Sequence, residues 1–153
     1  MVTKERFAQG MTVQQYLDQM VTNRDTFMKF LGEIKVSTED RKALESLGKK
    51  LKCMVITEDW CGDALYNVPV LLKLVEGNPN IETRIFLRDK NPDLMDQYLN
   101  KSMFRSIPVF AFFDENMPLL RYWSIRSGFL SRRKMRVSMF GLPSTSLRST
   151  GTL

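Results

Sequence analysis

From Leu51 onward the apolar residues leave helical spacing and fall into short runs separated by helices, and that order most constrains the fold. Leu51–Thr57 is short, apolar and partly β-branched, as a buried strand is. Glu58 to Asp63 reads as a loop, and Ala64 to Val75 as a helix that Pro69 should kink. Gly77 to Asn80 is a turn, and Ile81–Leu87 alternates like a second strand. Asn91-Pro92-Asp93 combines a cap, a proline at the first helical position and an acid, predicting a helix to about Leu99. Val109–Phe113 is a third strand, with Leu119 to Ile125 as its antiparallel partner across the turn Asp114–Asn116. The order β-α-β-α-β-β implies an α/β domain with a mixed central sheet and helices packed on it.

The first third is helical. Thr12 with Gln15 three residues on fits a capping box. Val13, Tyr16, Leu17, Met20, Phe27, Phe30 and Leu31 follow at mostly helical spacing, predicting a helix from Thr12 to Glu33 broken near Asn23. Ser37 starts another that runs through Leu44 and Leu47, with Gly48 as its C-cap. Residues 1–49 thus read as a helical extension packed on a core of residues 50–125. Charge marks off the rest. Residues 1–116 carry a net charge of −1, whereas residues 117–153 carry +7 and no acid. Ser127 to Phe140 has the makings of a basic helix, and residues 126–153 are expected to be a weakly structured tail. Such a tail is more consistent with a solvated terminus than with nucleic-acid binding.

Other classes are narrowed by what the chain lacks. It contains no histidine and two cysteines, which excludes His-based triads and makes a poor zinc site, so no metal or cofactor is expected. There is no apolar run of membrane-spanning length and no apolar leader, so a cytoplasmic protein without a membrane span is the expectation. Two cysteines in such a setting do not suggest a structural disulfide framework. The ten methionines read as core filler.

Chemistry concentrates at Trp60-Cys61-Gly62-Asp63-Ala64. Cys61 lies between a strand end and a helix start, where unpaired N–H groups and the positive end of the dipole favour a thiolate. Trp60 can shield one side of it. Asp63 and Asp59 are candidate tuning residues, although an acid in the first turn of a helix is also ordinary stabilisation of about 0.3–1 kcal/mol. With Glu58 they make the loop acidic, an arrangement expected to repel anionic thiols. Further on, Ser106-Ile107-Pro108 opens the third strand.

Three segments, Val55–Asp63, Asp89–Tyr98 and Phe104–Val109, together resemble the thioredoxin-like superfamily over about Lys50 to Trp123. Within it the chain is most similar to small bacterial proteins with a helical N-terminal extension and a Trp-Cys-Gly-Asp motif. The resemblance implies a three-layer fold. It also implies that Cys61 is the nucleophile, that Pro108 is a cis-proline, and that Trp60, Ile107 and Pro108 form the substrate-binding groove. Two positions depart from the pattern. Ala64 stands where a dithiol motif has its resolving cysteine, and Val55 where thioredoxins carry a buried acid. Cys53 is a poor substitute for the missing thiol. About four strand residues at roughly 3.3 Å each carry the chain some 13 Å beyond it, whereas a disulfide needs Cα atoms within about 7 Å.

The expected function is monothiol thiol–disulfide exchange through Cys61, with an external thiol as resolving partner. The partner would be a protein or a low-molecular-weight thiol or disulfide. A non-catalytic module that binds a protein at the Trp60/Pro108 groove stands beside it, as does redox sensing through oxidation or capping of Cys61.

Overall fold

The computed structural model describes residues 1–124. The predicted basic helix and tail lie outside the described residues. Four strands, β1 (Leu51–Thr57), β2 (Ile81–Leu87), β3 (Val109–Asp114) and β4 (Leu119–Ser124), form one sheet in the order β2-β1-β3-β4. β1 runs parallel to β2 and antiparallel to β3, and β3 runs antiparallel to β4, so the sheet is mixed as expected. β1 and β3 take the two central positions, and their burial is correspondingly almost unbroken.

Helices cover both faces. One face carries α2 (Val13–Gln19), α3 (Arg24–Glu33), α4 (Thr38–Glu45) and α5 (Gly62–Val75). Its core joins Tyr16, Phe27 and Leu44 from the extension to Val68 and Leu71 of α5 and to Cys53, Val55 and Phe110 of the sheet. The other face packs Met54, Ile56, Val109 and Phe113 against Phe7 of α1 (Lys4–Ala8), Leu94 and Met95 of α6 (Pro92–Met95), and Tyr98 of the 3₁₀ turn that follows. This is the three-layer arrangement, with side chains alternating between the two cores along β1.

Local chemistry sets most boundaries. Thr12 and Gln15 make the full capping box, and Ser37 caps α4 through the Asp40 N–H. The long helix predicted from Thr12 is two helices. Asn23 sits in the left-handed region (φ 59°) between them, a conformation asparagine tolerates better than most residues. Gly48 also takes a positive φ (61°), but α4 has already ended, with Ser46 as its C-cap. The helix at Pro92 keeps α-form only to Met95 and continues as a 3₁₀ turn to Tyr98. Helix α5 runs through Pro69 without interruption and begins two residues earlier than predicted, at Gly62, with Cys61 as its N-cap.

Sequence reasoning missed α1 altogether. It is a five-residue helix that buries one side chain, Phe7, and Arg6 ties it to the start of α6 by a bidentate pair with Asp93 at 2.9 Å. The chain then meets the free edge of β2. Met11 and Ile85 exchange two backbone hydrogen bonds of 2.8 Å, satisfying edge groups that would otherwise be open to another chain.

Candidate functional site

The site lies at the end of the sheet where β1 and β2 terminate, the end at which open α/β sheets place their crevices. β1 ends at Thr57, and a four-residue loop delivers Cys61 to the N-terminus of α5. Cys61 is half-buried and packs against both hydrophobic cores. Its side chain makes no capping bond to α5. Its Sγ instead lies 3.7 Å from the carbonyl oxygen of Ile107, a residue 46 positions away. The Ile107–Pro108 peptide bond is cis, and both residues are buried.

An open groove of about 780 Å³ runs from Cys61 across this junction. Trp60, Asp63 and Ile107, which the sequence singled out, line it, together with Arg88, Lys101, Phe104 and Arg105, which it did not. Pro108, expected to form part of it, is not among the lining residues; it is buried immediately before β3. Trp60 is 48% exposed, and the Arg88 guanidinium lies 4.8 Å from its ring centroid. Arg88 is further braced by Asp89 at 2.8 Å and by a hydrogen bond it donates to the Arg105 carbonyl at 3.2 Å. A signal for Arg88 was available, because it is the first residue after a parallel strand. Lys101 and Arg105 had no such signal, since loop cations carry no period.

The acids behave differently from the sequence expectation. Glu58 is 8% exposed, and its carboxylate accepts the Asp89 backbone N–H at 2.9 Å, fixing the start of the turn after β2. The Asp59 carboxylate accepts the N–H groups of Val21 and Thr22 at 2.9 and 3.1 Å, and its carbonyl accepts from the Asn23 side chain at 3.1 Å. Asp59 therefore ties the α2–α3 junction to the loop that presents Cys61. Of these three acids, Asp63, in the first turn of α5, is the one that shares the groove with the thiol. The acidic loop of the sequence is thus not an acidic groove.

No second thiol stands near. Both cysteines are free. Cys53 is fully buried at mid-strand, opposite Thr83 and Phe112 in the neighbouring strands, and burial pushes its thiol well above the ordinary range. Ala64 is buried in the first turn of α5, and Val55 is an apolar core residue. Among the described residues no group of three or more His, Cys, Asp or Glu is placed to hold a metal ion. No helix among them is long and apolar enough to cross a membrane.

Comparison with known proteins agrees with this architecture. No curated protein matches the chain. Among solved structures, a protein of unknown function from Pseudomonas aeruginosa superposes with a TM-score of 0.69 at 19% identity, over 81% of this chain and 77% of that one. An HIV epitope-scaffold superposes with a TM-score of 0.71, also at 19% identity, over 92% of this chain and 89% of that one. At that identity both show a shared fold and nothing further. The family model described as thioredoxin matches residues 10–135, which takes in three helices of the extension as well as the whole sheet. With most of its length so matched, and with helices on both faces of a mixed four-stranded sheet, the chain belongs to the thioredoxin family.

Proposed function

We propose that the protein exchanges disulfides one thiol at a time through Cys61. The observation that carries this reading is the placement of a half-buried thiol at the N-terminus of a 14-residue helix, at an open groove, with the other cysteine buried at mid-strand. The Cys61 thiolate attacks one sulfur of a disulfide R–S–S–R′. A Cys61–S–S–R bond forms, the S–S bond of the substrate breaks, and R′S⁻ leaves and takes a proton from water. A thiolate R″S⁻ from solution then attacks the R sulfur, forming R–S–S–R″ and returning Cys61 as the thiolate. In a dithiol protein a second cysteine instead attacks the sulfur of the first, releasing RS⁻ and leaving an internal disulfide; here Ala64 has no atom that can do so. Trp60 and Ile107 flank the sulfur and position the substrate, with Pro108 setting the backbone behind them.

The test is direct. Incubated with a small disulfide, the protein acquires one mixed-disulfide adduct, read by intact mass and mapped to Cys61. Excess thiol removes it, and Cys61→Ser never forms it. Absence of an adduct on the folded wild type, under conditions where a free cysteine peptide reacts, sinks the proposal.

A second reading has its own support in two exposed aromatics at the groove, Trp60 and Phe104, the latter 54% exposed. It is a non-catalytic module that holds a protein segment there. The two separate on Cys61→Ala: exchange is lost, whereas segment binding survives.

A further inference from the structure

We infer that the disulfide taken by Cys61 is a small, negatively charged one, and that Lys101 and Arg88 select it. This rests on the monothiol reading above and deepens it. The loop sequence around the thiol suggested the opposite charge preference. The folded chain directs the Glu58 and Asp59 carboxylates onto backbone N–H groups of other segments, and neither residue lines the groove. Among the described residues, three cations, Arg88, Lys101 and Arg105, and a single acid, Asp63, line the groove in their place.

The three cations are not equivalent. Arg105 is held in a bidentate pair with Asp96, at 2.8 and 3.0 Å, so much of its charge is already answered. Arg88 is ion-paired as well, but through Nε alone, to Asp89 at 2.8 Å; Nη1 goes to the Arg105 carbonyl, and Nη2, held over Trp60, has no hydrogen bond among the described residues. Lys101 makes no ion pair or hydrogen bond among the described residues, and a left-handed backbone (φ 51°) carries it at the groove. One planar guanidinium donor and one exposed ammonium in the groove that holds the thiol suit a carboxylate-bearing thiol compound. Size points the same way. About 780 Å³ lies within the roughly 300–1,000 Å³ range of small-ligand sites.

Three disulfides of matched chemistry and different charge make the test: oxidised glutathione as the anion, 2-hydroxyethyl disulfide as the neutral, and cystamine as the cation. Rates of adduct formation on Cys61 are normalised to a free cysteine peptide and measured at low and high salt. The anionic disulfide is expected to react about tenfold faster than the cationic one at low salt, with the ratio shrinking at high salt. Lys101→Gln and Arg88→Gln should each reduce the ratio several-fold. The chain has an overall charge of +6, which by itself favours anions. Lys73→Gln removes the same unit of charge from the far end of α5, where Lys73 pairs with Glu76, and should leave the ratio unchanged. A flat or inverted order, or an equal effect of Lys73→Gln, overturns the charge selection while the monothiol reading stands. Failure of all three disulfides to modify Cys61 overturns both.

Discussion

Gly10 offers a sharp test of how the extension is fitted to the sheet. A methyl group there would lie 2.6 and 2.7 Å from Cε2 and Cζ of Phe86 and 2.8 Å from Cβ of Arg84. Carbon atoms pack best at about 3.5–4.0 Å, so the overlap approaches 1 Å against three atoms. None of them yields readily. Phe86 is 3% exposed and lies under the Arg6 guanidinium at 5.2 Å, and the Arg84 Cβ moves only with the backbone of β2. Relief requires the chain to lift from β2, stretching the paired Met11–Ile85 hydrogen bonds. Overpacking of this kind costs about 1–3 kcal/mol, against a gain of about 0.4–1 kcal/mol from a stiffer unfolded chain. Gly10→Ala should therefore lose about 1–2 kcal/mol, or roughly 2–8 °C in Tm for a chain of this size. Urea unfolding, with m checked for constancy, measures it. Gly32 is the control: it is exposed in α3 with nothing within 4 Å of an added methyl, so Gly32→Ala should gain up to about 1 kcal/mol. Wild-type stability for Gly10→Ala, or equal losses at both positions, refutes the close-approach argument.

Asp59→Ala removes the acceptor of two backbone N–H groups, but both belong to exposed residues that water can serve, so the expected loss is about 1–2 kcal/mol. Proteolysis between α2 and α3 should accelerate with it; unchanged stability and cleavage would show that the clamp contributes nothing. Alkaline pH gives a further check. Burial, with a contribution from Tyr122, pushes Tyr98 up to about 12, and burial also raises Tyr16 and Cys53. These groups stay protonated in the fold and ionise first in the unfolded chain. Stability should be complete below their unfolded values, near 9 for the thiol and 10 for the phenols, and should fall as pH rises through them. Two of the four tyrosines should ionise only on unfolding, read from tyrosinate absorbance during urea titrations; constant stability up to about pH 11 would contradict it.

What could be read directly from the chain was local. The capping box at Thr12, the cap at Ser37, the strands at Leu51, Ile81 and Val109 and the position of Cys61 at a helix start depend on neighbours within a few residues, and each is found. Short-range hydrogen bonds and side-chain periodicity leave that kind of mark. Helix α1 left only the Thr3 cap and one buried phenylalanine, too short a stretch to show a period, and a pair with Asp93, 87 residues away, holds it in place. The charge of the site was illegible for the same reason. Glu58 and Asp59 look like groove acids beside Cys61, yet their oxygens go to residues 31 and 37–38 positions away. The cations that replace them come from the turn after β2 and the segment before Pro108. Sequence alone determined the fold family, the thiol and the absence of a second one at Ala64. Only the tertiary structure decided the electrostatic character of the groove, because the direction of a charged side chain on a loop is set by whichever distant backbone group needs a partner.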